Sequence, residues 1–189
     1  NITAYKTIVA NSYEWLESEL GKGEVTGLVL GRATLIDALL RHIWQLMNLH
    51  NESHLTLIAV GGYGRGQLQP HSDIDLLVLS KKSLSKKQQE RVSQFITLLW
   101  DIGLDVGQSV RTVKETFQLA KQDVTIATNL VEARLLIGCQ TTFEDLQDKL
   151  GSRSYWSSKD FFLAKYQEQK QRHRKFKDTS YNLEPNVKE

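Results

Sequence analysis

The sequence predicts an α+β fold, a small mixed sheet with helices packed before and after it. Three observations carry that expectation. Only two prolines, Pro70 and Pro185, interrupt the 189 residues, so long segments are free to be helical. Two short apolar, partly β-branched runs, residues 55–60 and 74–79, stand either side of a glycine-rich stretch. A third, alternating run over 104–112 follows one amphipathic segment later.

Residues 5–20 open the chain as a helix: Ile8, Val9, Trp15, Leu16 and Leu20 fall at near-helical spacing, and Gly21 and Gly23 end the run. A longer helix is expected over 25–48, with Leu28, Leu35, Ile36, Leu39, Leu40, Ile43 and Leu46 on its apolar face; its length suits a scaffold. Residues 55–60 then make a buried strand ending in glycines, and 74–79 a second strand closed by the polar stretch 80–85. Over 86–100 an amphipathic helix aligns Val92, Phe95, Ile96, Leu99 and Trp100, with Gly103 as its stop. In the third strand, Leu104 and Val106 lie opposite Asp105 and Gly107. Residues 113–150 read as helical with breaks near Asp123 and Gly138, and 161–177 as a last, basic helix. The implied division is a helical segment over 1–50, a core over 51–150, and a C-terminal helix with a final motif over 151–189. The four tryptophans are expected in the core or between helices.

Composition narrows the field of functions. A formal charge of +2 gives no basis for a nucleic-acid partner. A single cysteine, Cys139, rules out an internal disulfide and a cysteine-built zinc site, which suits a reducing cytoplasm. No apolar stretch approaches the ~18 residues needed to span a bilayer, and the start of the chain lacks the layout of a signal peptide. The only methionine is Met47, and the chain reads as a fragment cut from something longer.

The chemistry is concentrated in one order of parts: strand, Gly61-Gly62-Tyr63-Gly64-Arg65-Gly66, a polar stretch, then His71-Ser72-Asp73-Ile74-Asp75 entering the next strand. Alternation puts Asp73 and Asp75 on one face, about 7 Å apart, with Ile74 turned into the core. Two carboxylates so placed repel unless a cation lies between them, and a hard ion such as Mg²⁺ suits carboxylate oxygens while leaving room for phosphate ligands. Glycines let backbone N–H groups approach a phosphate, and Arg65 offers a bidentate contact. The parts together describe a two-ion phosphoryl-transfer site, with ions about 3.5–4 Å apart, which usually needs a third carboxylate. Asp105 is preferred, because it stands on the next strand opposite Leu104 and Val106; Asp101, near a helix end, is its competitor. A turn with solvated acids leaves both the glycine run and the third strand unexplained. Plainer roles stay open for Arg65 as a surface charge and for Ser72 as a turn cap. The run is neither a P-loop, since Gln67 follows Gly66, nor a dinucleotide fingerprint, since its glycines are wrongly spaced.

Residues 61–77 of this sequence resemble the polymerase-β-type nucleotidyltransferase motif. More narrowly, they are similar to its version in bacterial PII protein uridylyltransferase/uridylyl-removing enzymes. Gly103-Leu104-Asp105-Val106-Gly107-Gln108-Ser109-Val110-Arg111-Thr112 and Thr179-Ser180-Tyr181-Asn182-Leu183-Glu184-Pro185-Asn186-Val187-Lys188-Glu189 agree with the same family. The resemblance implies a polymerase-β-type fold and transfer of UMP from UTP to a tyrosine hydroxyl of the PII nitrogen-signalling protein, releasing pyrophosphate. It implies Asp73, Asp75 and Asp105 as carboxylates for two Mg²⁺ ions, and Gly61, Gly62 and Ser72 as handlers of the triphosphate. The HD hydrolase and glutamine-sensing ACT domains of that family are not expected here, since no His-Asp dipeptide occurs and the chain stops early. Gln108 stands where histidine is expected. Two other functions stay open: a same-fold enzyme acting on a small molecule such as an aminoglycoside or on another protein, and a silent nucleotide-binding regulatory module.

Overall fold

A computed structural model gives the fold; it describes residues 2–19, 22, 25–69, 72–151 and 156–175. The motif at 179–189 and the expected helix end at 176–177 lie outside the described residues, as do Leu20, Gly21 and Gly23. Helices α1 (Ile2–Glu19) and α2 (Val25–Leu46) come first. Residues Val29, Ala33, Ile36, Leu40 and Ile43 form the buried stripe of α2 at helical spacing. Asn48, in the left-handed region at φ 55°, turns the chain out of α2 and into a 3₁₀ turn over Leu49–Asn51. Its short polar side chain tolerates that conformation.

The sheet has four strands: β1 (Leu55–Ala59), β2 (Ile74–Ser80), β3 (Val106–Thr112) and β4 (Arg134–Gly138). Their order is β3-β2-β1-β4, with β1 antiparallel to both neighbours and β2 parallel to β3, so the sheet is mixed as expected. The parallel pair is bridged by α4 (Lys86–Asp101), which starts in a capping box made by Ser85 and Gln88 and stops at Gly103, φ 90°. After β3 come α5 (Val113–Gln122), boxed by Thr112 and Glu115, and α6 (Val124–Val131), capped by the Asp123 carboxylate. The chain then passes through β4 into α7 (Gln140–Gly151) and α8 (Ser158–Lys175).

Strand β4 corrects the expectation that 113–150 is helical apart from breaks near Asp123 and Gly138. Arg134-Leu135-Leu136-Ile137 carries no periodicity that separates strand from helix, so the deciding interaction is tertiary, a ladder to β1. Gly138 ends it at φ 116°, where a Cβ would lie 2.4 Å from the Leu55 carbonyl oxygen. The tryptophans need correcting too. Trp44 is buried against Phe95, with ring centroids 5.2 Å apart, and Trp15, though partly exposed, lies against Gly31 of α2, but Trp100 is exposed.

Both faces of the sheet are covered. Leu57, Leu76, Val78 and Val106 join Trp44, Phe95 and the buried stripe of α2 in one core. On the other face Ile58, Leu77 and Leu79 pack with Val113, Leu130, Phe143 and Leu146 from the helices after β3. Successive residues of β2 therefore point into different cores, and Asp75 shares the face of Leu77 and Leu79. Among the described residues no helix is long and apolar enough to cross a membrane.

Candidate active site

The glycine run is more ordered than a turn. Gly61–Gly64 forms one turn of helix, α3, entered from the extended residue Val60. Gly61 has φ 57°, a left-handed conformation that glycine adopts without strain. A helix start leaves its first N–H groups without intrahelical partners, so Gly61 and Gly62 contribute donors at this point. The Val60 N–H donates to the Asp75 carbonyl at 3.0 Å, which ties the start of α3 to β2.

Two missing side chains make the place for Asp75. A Cβ at Gly61 would lie 3.1 Å from Asp75 Oδ2, and one at Gly107 only 2.6 Å from Asp75 Oδ1. Asp75 and Gly107 are register partners across the parallel pair, so the carboxylate lies over a strand position without a side chain. The half-buried carboxyl is held above its ordinary range, first by burial and second by the charge of Asp73.

Asp105 stands one residue before β3, not within it, and is exposed. Its carbonyl accepts from the Ile74 N–H at 2.9 Å, and Ile74 pairs with Val106. Continuing that register back by one residue brings Asp73 level with Asp105. Asp101 is exposed on the last residue of α4. No group of three or more His, Cys, Asp or Glu side chains is gathered at ligating distance among the described residues. The carboxylates thus line an open edge. That suits an ion completed by water and substrate phosphates rather than an all-protein cage, and a cation there would offset the burial and the Asp73 charge that disfavour ionised Asp75.

Arg65 is half exposed and ion-paired with Glu132 at the end of α6. Ser72 is half buried, and its N–H donates to the Gln69 carbonyl at 3.2 Å. The buried Arg32 side chain, stacked 4.3 Å from the Tyr13 ring centroid, donates to that same carbonyl. Gln108 belongs to the opposite face from Asp75, so the departure at this position leaves the carboxylate edge untouched.

Contributors from outside the glycine run and its strand had little sequence signal. Asp37 of α2 accepts from the buried Tyr63 hydroxyl at 2.6 Å and from both terminal nitrogens of Arg134. Arg134 also donates to the Gly64 and Tyr63 carbonyls, at 3.2 and 3.3 Å. Burial and the Asp37 carboxylate push the Tyr63 phenol far up, so it stays a donor. The Arg134 guanidinium is raised, chiefly by its hydrogen bond to Asp37. Gly64 packs so closely on the Glu132 carbonyl that a Cβ would come within 2.2 Å. Asp37 and Arg32 did carry one clue, being charged residues on the buried stripe of an apolar helix. Asn129 of α6 carried none; its Oδ1 lies 3.7 Å from the point a Gly61 Cβ would occupy.

The family model of the nucleotidyltransferase domain matches residues 41–135. The chain belongs to the nucleotidyltransferase domain family. A second model, GlnD PII-uridylyltransferase, matches residues 160–189. The chain is 52% identical over 164 residues to a bifunctional uridylyltransferase/uridylyl-removing enzyme of Vibrio cholerae, covering 87% of this chain and 19% of that protein. It is 45% identical over 188 residues to the protein of the same description from Pseudoalteromonas translucida, covering 100% and 22%. The chain thus spans about a fifth of the length of these relatives. Domains of this kind generally use a divalent metal, and the donors along the Asp73–Asp105 edge are the hard oxygens such an ion takes.

Proposed function

We propose that this nucleotidyltransferase transfers UMP from UTP to a tyrosine hydroxyl of the PII signal-transduction protein, releasing pyrophosphate. The observation that carries the transfer chemistry is the Asp75 carboxylate, seated between Gly61 and Gly107 with Asp73 beside it. The donor and acceptor follow from the similarity to uridylyltransferases. In this reading Asp73, Asp75 and Asp105 hold two Mg²⁺ ions. When bound, these would lower the pKa of the attacking hydroxyl and offset the charge of the departing pyrophosphate. The N–H groups of Gly61 and Gly62, with the Ser72 hydroxyl, take the triphosphate, while Arg65 stands at the rim on its pair with Glu132. The acceptor oxygen attacks the α-phosphorus, the bond to the β-phosphate breaks, and the phenolic proton leaves to solvent. No side chain of this chain acts as base. The setting is the cytoplasm, with no nucleic-acid partner.

The test is incubation of the chain with α-labelled UTP or ATP and Mg²⁺, with and without PII. Label from UTP should appear on PII alone, at tyrosine, and should vanish with Asp73→Ala. Preference for ATP, or label on a small molecule, would replace the donor or the acceptor. Activity and Mg²⁺-dependent UTP affinity unaffected by Asp73→Ala would remove the metal site itself.

A further inference from the structure

Beside the carboxylate edge a cavity of about 220 Å³ opens between the β2–β3 face and α6, with Asp75 at one side. Leu77, Ile126 and Leu130 give it apolar walls, while Asn129, Ser109 and Arg111 bring polar groups to it. A hollow of mixed lining, apolar on one side with polar groups converging on it, has walls for the sugar of a nucleoside and partners for its hydroxyls. The Asn129 amide has no hydrogen-bond partner among the described residues, although it is half buried. It is also close to the reacting edge: Asn129 Oδ1 and Asp75 Oδ2 lie 3.7 and 3.1 Å from one point beside Gly61.

That closeness selects the part of the donor which meets Asn129. The α-phosphate has to sit at the Asp73–Asp75 edge, and the sugar follows it directly through C5′. The base is a further sugar's breadth away. A group so near Asp75 therefore stands at the distance of the sugar. An amide offers one acceptor and two donor hydrogens, which complement a vicinal diol whose hydroxyls each donate and accept.

We propose that Asn129 hydrogen-bonds the ribose hydroxyls of the donor nucleotide, so that α6 makes the site select ribonucleotides over deoxyribonucleotides. This rests on the nucleotidyl-transfer reading above but not on the identity of the base. A site built to bond a hydroxyl discriminates against the analogue lacking it.

The experiment is kcat/KM for UTP and dUTP, with Mg²⁺ and PII, for the parent chain and Asn129→Ala, with melting temperatures as a check on folding. Alanine is the better helix former at this position, so the variant should fold. The parent should favour UTP. The variant should lose roughly two- to tenfold with UTP, the range of one or two ordinary hydrogen bonds, and change little with dUTP, so that the ratio collapses. Equal losses on both nucleotides would overturn the assignment, because the amide would then serve the phosphates or only packing. An unchanged ratio, or a parent with no preference, would overturn it as well. If the donor proves to be ATP, the same ratio is read with ATP and dATP. A parent that transfers no nucleotide removes the transfer reading and this inference together, whereas an active parent with an indifferent variant removes only the role of Asn129.

Discussion

At the scale of single residues, the site depends on atoms that are absent. Gly107 lies in an ordinary strand, outside the left-handed region, and alanine there would usually help a strand by about 0.5–1 kcal/mol. Its Cβ would however meet Asp75 Oδ1 at 2.6 Å, so the carboxylate has to move. Gly107→Ala should keep the fold while lowering kcat on the order of 10²-fold, the usual cost of displacing a reacting group by about 1 Å. A melting curve beside a transfer assay checks it, and full activity would show that Asp75 is not gripped. Asp75 itself carries a pH signature. Its folded pKa is raised, so its native form binds the proton more tightly than the unfolded chain does. Its contribution is complete below the unfolded value and is lost as pH rises through the folded one. At neutral pH the ionised group therefore costs stability. Asp75→Asn should abolish transfer, on the order of 10³-fold or more, and should melt higher than the parent without Mg²⁺. The gain is roughly 2–4 °C for each kcal/mol relieved, and it should shrink as pH falls through the carboxylate range. Melting curves across pH, with no such convergence, would sink this account.

Among the elements, α3 is too short to hold itself and is held from outside by α2 and the α6–β4 connection. Asp37, Tyr63 and Arg134 tie its carbonyls and its one aromatic side chain to the scaffold. Asp37→Ala leaves Arg134 without its carboxylate and should cost about 3 kcal/mol, the lower range for breaking a buried ion pair. Tyr63→Phe removes one hydrogen bond, about 1 kcal/mol, and frees the glycine turn proposed to take the triphosphate. It should therefore raise KM for the nucleotide several-fold more than it lowers kcat; a fall in melting temperature with KM unchanged would make the network merely structural. The legibility of the sequence follows the same line. Strands β1 and β2, α4 and the pairing of Leu104 and Val106 against Asp105 and Gly107 were readable, because alternation, capping residues and glycine stops act locally. Strand β4 was not, because Arg134-Leu135-Leu136-Ile137 before the stop at Gly138 reads equally well as helix and becomes a strand only by pairing with β1. Asp73, Asp75 and the glycines were legible as a run. Asn129, Glu132 and Arg134 reach that run across 65 or more residues of chain, and nothing local marks them. The alternation along 104–112 did put Asp105 on the face of Gly107, yet the strand itself starts only at Val106.

On the scale of the whole molecule, stability should grade outward from the middle of the sheet. β1 is paired on both sides and every one of its residues is buried, and β2 is paired on both sides with only Asp75 partly open. β3 and β4 each have a free edge among the described strands. Helix α8 shows Phe162 and Tyr166 to solvent, at 68% and 52% exposure, and none of its described side chains is buried. Local opening follows such differences in burial and pairing. Hydrogen exchange should therefore find the amides of β1 and β2 slowest, opening only with global unfolding, on the order of 5–15 kcal/mol for a domain. Amides of α8 should open at no more than about 2 kcal/mol. The carboxylate edge lies where these regimes meet, since Asp75 belongs to the rigid strand while Gly61 and Asn129 come from elements packed against it. Adding UTP and Mg²⁺ at about 100 times the dissociation constant stabilises the native state by roughly 2.7 kcal/mol. That protection should concentrate on α3, the start of β2 and α6, leaving α4 on the far face near its unliganded rate. Uniform protection over both faces would mean that the nucleotide acts by closing the whole molecule, and the site would then not be confined to the face of Asp75.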